Sequence, residues 1–178
     1  MNTKDKILDF GMTLIQAKGV NGFSFADIAA GVAIQKASIY YYFSGKQALV
    51  KAVLDRYSDN FFTALAADHS QDLSGRLTHY VSLYRANLIE GKICLCSDLA
   101  MDVNNLDANI NAEVGAFFQR NLDWLEQQLG DFHSQVTAAE FFACVQGGQL
   151  VSRNQQDVAY FDTVMASCLQ RALGVKQP

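Results

Sequence analysis

With 178 residues, 50% of them hydrophobic and 18% charged, the chain can bury a substantial core, as one compact unit or as a small domain joined to a larger one. Its net charge of −4 excludes a protein that coats nucleic acid through bulk charge. Residues 1–56 nevertheless carry seven Lys/Arg against four Asp, a balance of +3 that leaves −7 for the rest, and a positive end on an acidic body suits a site-specific DNA binder.

The opening MNTKDKILDF sets charges inside the first apolar turn, so no secretory signal is expected, and no apolar run approaches bilayer length. A cytoplasmic chain with no membrane contact is the expectation, with Cys94, Cys96, Cys144 and Cys168 as thiols. Pro occurs once, at Pro178, and no strand-like alternation persists. About nine helical stretches predict an all-α fold.

The first predicted helix runs from about Thr3 to Lys18, with Ile7, Leu8, Gly11, Leu14 and Ile15 on one face and Gly19 as its stop. Asn21-Gly22 turns the chain into SFADIAAGVAIQKASIYYYFSGK, residues 24–46. Phe25, Ile28, Ala29 and Val32 recur at three and four residues, and Ser24 with Asp27 is close to a capping box. After Ala33-Ile34 a second short helix fits Lys36 to Phe43, with small residues Ala37 and Ser38 at its front. Ser44 with Gln47 predicts the cap of a fourth helix, from about Gly45 to Ala66. Two short helices around a tight turn, then a long helix, form a helix-turn-helix pattern.

On these residues the run from Ile7 to Leu54 resembles the N-terminal domain of the TetR (tetracycline repressor) family. The likeness is carried by ILDFGMTLIQAKGVNGFSFADIA and KASIYYYFSGKQALVKAVL. It implies a DNA-binding three-helix head over residues 1–46 and a ligand-binding, dimerising helical body over 47–178. By position it implies Ser24, Phe25, Lys36, Ala37, Ser38, Tyr40, Tyr41, Tyr42 and Lys46 at the DNA. Ala33 stands where the family usually has the turn glycine, and a non-glycine residue at positive φ costs about 1 kcal/mol. Tyr42 stands where His is common, so that phosphate contact becomes neutral at every pH.

Beyond the head, Leu73, Leu77, Tyr80, Val81, Tyr84 and Leu88 mark a fifth helix ended by Gly91. A short apolar helix follows from Ile93 to about Val103. A long one from about Asp107 to Leu129 carries Ile110, Val114, Phe117, Phe118, Leu122 and Leu125. Two closing helices are predicted at Gln135–Ser152 and Gln155–Leu173. The last is apolar over a wide arc, Val158, Phe161, Val164, Met165, Cys168, Leu169 and Ala172. With Gly147-Gly148 on its neighbour, that arc predicts a homodimer through the last two helices.

Cys94-Leu-Cys96 supplies neither the four ligands nor the paired spacings of a zinc site, so no metal and no cofactor is expected. The pair reads as small buried hydrophobes at a helix start or as reactive thiolates, and GKICLC resembles a branch of the family that senses electrophiles or oxidants. The family's body usually encloses a pocket, and Tyr84, Cys94, Phe117 and Phe118 are the expected lining. His69, His79 and His133 are isolated and expected at the surface. No catalytic signature occurs: there is no G-x-S-x-G, P-loop, G-x-G-x-x-G or H-E-x-x-H. The resulting expectation is a repressor on a near-palindromic duplex operator, released by a small-molecule inducer, and not an enzyme. Two other readings stand beside it: a Cys94/Cys96 sensor, and a helical interaction module that has lost DNA binding, for which Ala33 speaks.

Overall fold

A computed structural model describes residues 2–130 and 134–174, so His133 lies outside the described residues. Among these there are nine α-helices and two short 3-10 turns. The helices are α1 (Thr3–Lys18), α2 (Phe25–Val32), α3 (Lys36–Tyr42), α4 (Lys46–Ala66), α5 (Leu73–Ile89), α6 (Leu95–Met101), α7 (Ala108–Leu129), α8 (Ala138–Gln155) and α9 (Val158–Ala172). No helix is long and apolar enough to cross a membrane. The chain divides into two compact units: one holds residues 1–60 with 95–116, the other 61–94 with 117–178.

Local chemistry explains most boundaries of the first unit. Asn2 caps α1 by accepting the Asp5 N–H at 2.9 Å, and Gly19 ends it at φ 69°. Ser24 and Asp27 close a true capping box on α2, each side chain accepting the other's backbone N–H. The outer end of the Phe10 ring of α1 meets Gly31 of α2, where a Cβ would fall 2.1 Å from it, so the two helices cross in close contact. Ile7, Ile28, Ile39, Leu49, Val50 and Leu54 are buried together, and each contributes roughly 1.5–3 kcal/mol.

Ala33 ends α2 in the left-handed region, φ 58° and ψ 47°. The Ile34 N–H reaches back to the Ala29 carbonyl at 3.0 Å, as in a Schellman motif. The departure from glycine therefore leaves the turn in the conformation that glycine would take. With it goes the support that Ala33 lent to a head unable to present its second short helix.

In the second unit α5, α8 and α9 pack on one another. The Phe161 ring of α9 closes on Gly148 of α8, 3.0 Å from where a Cβ would stand, while Gly147 faces open space. The predicted boundaries of three helices move. The eighth helix starts at Ala138 rather than Gln135, because Thr137 and Glu140 form a capping box there. It ends with Gln156 in the left-handed region, and Asp157 then caps α9. The sixth helix shortens to Leu95–Met101, which leaves Cys94 one residue ahead of it rather than in its first turn. The predicted Ser44–Gln47 cap is also revised, since Gln47 turns its amide to the Asn105 carbonyl (2.9 Å) and the Asp107 N–H (3.3 Å).

Ala33→Gly tests the turn. It removes a left-handed penalty of roughly 1–2 kcal/mol and returns roughly 0.5–1 kcal/mol through the freer unfolded chain. Urea denaturation should show a net gain of about 0.5–1 kcal/mol at unchanged slope. A loss would mean that Ala33 does not hold a left-handed turn in solution.

Candidate nucleic-acid interface

A helix of seven residues does not persist alone in water, so α3 exists only where tertiary contacts hold it. Ile39 is completely buried, and Phe43, the residue after the helix, is buried as well. Their burial turns the remaining positions outward: Lys36, Ala37 and Ser38 are exposed, as are Tyr40, Tyr41 and Tyr42. Tyr41 is 84% exposed, a large aromatic standing in water next to Tyr42, with ring centroids 5.0 Å apart. The Tyr40 ring rests edge-on against Phe25 at 5.1 Å.

This face combines one cation, a small polar front and three phenol hydroxyls. Such a surface can approach base edges and donate to phosphate oxygens. Ser24 is exposed and its hydroxyl caps α2, donating to Asp27 and accepting the Asp27 N–H. Phe25 is buried, so at this surface it offers backbone and not its ring. The Ser24 hydroxyl and N–H hold the Asp27 carboxyl below its ordinary pKa. A depressed carboxyl lends stability above the unfolded value of about 4, and that stability is lost as pH falls through the folded pKa.

Lys46 has a second task. Its Nζ donates to the Val20 carbonyl at 2.9 Å and to the Phe23 carbonyl, and it lies 4.7 Å from the Phe23 ring centroid. It thus ties the start of α4 to the turn ahead of α2. An ammonium has three donors, so one remains for an outside partner. Sequence reasoning missed two further ties in this unit. The Asp102 carboxylate accepts the Val20 N–H at 2.9 Å, and Gln47 holds Asn105 and Asp107. No local pattern marks Asp102, and the pattern at Gln47 pointed to a helix cap instead.

The predicted ligand residues lie in the second unit. Tyr84 and Phe117 both meet the Phe61 ring, at 5.1 and 5.2 Å. Phe118 is half-buried against Phe142 at 5.7 Å, and the Cys94 N–H donates to Gln149 Oε1 at 3.0 Å. The polar centre is Asn121, which is fully buried. Its Oδ1 accepts the hydroxyls of Tyr80 (3.0 Å) and Tyr84 (2.8 Å), and its Nδ2 donates to the Phe117 carbonyl at 2.8 Å. Asn121 was legible as a polar residue on the apolar stripe Phe117–Leu125. A separate cleft of about 510 Å³ is lined by Leu88, Ile89, Gly91, Ser152, Arg153, Gln156 and Val158, none of them a predicted lining residue.

Residues 7–53 match the family of bacterial regulatory proteins, tetR family. The biofilm operon icaADBC HTH-type negative transcriptional regulator IcaR of Staphylococcus epidermidis is 34% identical over 71 residues, 40% of this chain. That match spans only 38% of IcaR's length. Across nearly the whole chain the fold matches a TetR-family transcriptional regulator from Agrobacterium tumefaciens, at TM-score 0.88 and 29% identity, covering 95% of this chain and 96% of that one. A TetR transcriptional regulator from Legionella pneumophila matches at TM-score 0.86 and 28% identity, covering 96% and 97%.

Lys46→Met removes the donor to two carbonyls. Without any DNA present, urea denaturation should show a loss of roughly 1–3 kcal/mol. Unchanged stability would assign Lys46 to outside partners alone.

Proposed function

Because this chain belongs to the TetR family of bacterial regulatory proteins, we propose that it is a homodimeric transcriptional repressor that reads a near-palindromic duplex operator. The observation that carries the reading is the outward face of α3, with Lys36, Ser38, Tyr40 and Tyr41 in solvent and Ile39 and Phe43 buried behind. Residues 1–46 are the reading head and residues 47–178 the body. Each α3 enters a major groove, and two half-sites lie about one helical turn or more apart. Ser24, Phe25 through its backbone, Ala37, Tyr42 and the third Lys46 donor complete the contact with the duplex. The regulator works in the cytoplasm.

Dimerisation is assigned to α8 and α9. Ala139, Ala143, Gly147 and Leu150 recur on the exposed side of α8, and Leu150 is 52% exposed. Gly147 has open space beside it, which a partner helix can fill at close range. In α9 the wide apolar arc resolves into Phe161, Met165, Cys168 and Ala172 buried within the chain, with Tyr160 37% exposed. Isologous pairing of these two helices with their symmetry mates gives a four-helix interface.

Release of the operator is assigned to a small, mostly apolar inducer in the body near Tyr84, Cys94, Phe117 and Phe118. Tyr84 and Phe117 both meet the Phe61 ring there, so a ligand takes the place of ring contacts, with the Asn121 amide as its polar partner. Burial favours this route over reaction at Cys94 or Cys96, which are both completely buried.

Selection of bound fragments from sheared genomic DNA supplies the operator for the test. Titration at graded salt should then show that Lys36→Ala weakens all sequences alike and lowers the salt slope by about one. Ser38→Ala or Tyr40→Ala should lose roughly 1–3 kcal/mol of discrimination at single base pairs. No enrichment of any fragment, or a Lys36→Ala slope equal to the parent's, contradicts the reading. Sedimentation equilibrium should give a dimer mass at micromolar concentration, and a monomer mass would overturn the dimer.

A further inference from the structure

The cysteines differ in reach. Cys94, Cys96 and Cys168 are buried, whereas Cys144 is half-buried. Cys144 lies on α8 and Cys168 on α9, and these helices pack antiparallel in a register that contacts fix from both sides. Toward the connecting turn, Ser152 Oγ accepts the Phe161 N–H at 3.0 Å, and the Phe161 ring and Val164 close on Gly148. At the other end the Gln135 N–H donates to the Arg171 carbonyl at 3.1 Å. One turn on from the Gly148–Val164 contact, this register brings Cys144 level with Cys168, near enough for the two thiols to interact.

We propose that Cys144 and Cys168 are an oxidisable dithiol that closes to a disulfide joining α8 to α9 when the protein meets a peroxide. Their roles differ because their surroundings differ. Burial, and then the neighbouring Cys144, push the Cys168 thiol up to about 12, so it keeps its proton. Cys144, the less buried of the two, is the sulfur that meets the oxidant.

In the first step the Cys144 thiolate attacks one peroxide oxygen. The O–O bond breaks, the sulfur keeps one oxygen as a sulfenic acid, and hydroxide leaves to take up the thiol's former proton as water. In the second step the Cys168 sulfur attacks the Cys144 sulfur, and the S–O bond breaks. The departing hydroxide takes the Cys168 proton, and the charge of Arg171 favours the thiolate as that proton leaves. In sum, two thiols and one hydrogen peroxide give one disulfide and two waters. The reaction is independent of the DNA-binding reading.

The test treats the native full chain with excess hydrogen peroxide at neutral pH, alkylates under denaturing, non-reducing conditions, and maps peptides by mass spectrometry. The expected product joins the Cys144 and Cys168 peptides, lighter by two hydrogens, with Cys94 and Cys96 alkylated. A Cys94–Cys96 link, a mixed link, or four alkylated cysteines overturns the proposal. A second measurement follows the intermediate: Cys168→Ala should trap about tenfold more dimedone adduct on Cys144 than the parent, because nothing resolves the sulfenic acid. Equal labelling overturns the role given to Cys168. Should that variant fail to fold, the parent's peptide map decides by itself.

Discussion

Burial of Ile39 and Phe43 is the constraint on which the reading surface rests. The seven residues of α3 have too few hydrogen bonds to sustain a helix, and Gln35 at the N-cap makes no side-chain cap bond. What holds the helix is the apolar grip on Ile39, the Phe43 N–H returned to the Ile39 carbonyl at 2.9 Å, and the left-handed turn at Ala33. Helical geometry then decides the rest. With Ile39 inward, Ala37 and Tyr41 fall on the opposite face, and Lys36 and Tyr40 stand exposed beside it. A chain that hides two side chains and leaves Tyr41 84% exposed keeps apolar area in water that packing alone would remove.

The same unit includes residues well outside the head's own run of sequence. Asp102, just after α6, caps the Val20 amide, and Gln47 clamps Asn105 and Asp107. Val20 is also one of the two carbonyls held by Lys46. The turn ahead of α2 is therefore fixed by α4 on one side and by the segment after α6 on the other. Displacement of that segment would act on the turn through one carboxylate–amide bond, the type of charge-assisted contact that contributes more than a neutral one. The second unit is organised differently. One amide, Asn121, satisfies two tyrosine hydroxyls inside a ring cluster, with Trp124 stacked on Tyr80 at 5.0 Å. Burial in that cluster raises the Tyr80 hydroxyl's pKa, so it remains a donor across the accessible pH range.

Much of this was legible in the sequence because its cause is local. Ser24 and Asp27 sit three residues apart and form the cap that their spacing implies, and the position of Ala33 foretold a left-handed residue. Thr137 and Glu140 carried an equally clear signal, which the apolar pattern running back to Gln135 obscured. Gln47 misled in the other direction, since a side chain that fits a local cap found longer-range partners. Lys46 reads in sequence as a surface cation, and only the return of Val20 and Phe23 beneath it reveals its inward bonds. The aromatic residues of the body announced a core, but which rings surround Asn121 depends on how the helices cross. Cys144 and Cys168 illustrate the limit most plainly. Nothing in either neighbourhood links them until the antiparallel register of α8 and α9 sets them level.

The claim that matters most is that the outer face of α3 lies against duplex DNA, and tyrosine chemistry reads it directly. Nitration by tetranitromethane, with each tyrosine quantified by mass spectrometry, should modify Tyr40 and Tyr41 in the free protein, since both are exposed. With the selected operator bound, labelling of Tyr40 and Tyr41 should collapse, whereas an unrelated duplex at the same concentration should leave most of it in place. Equal labelling of Tyr41 with and without bound operator would contradict the account.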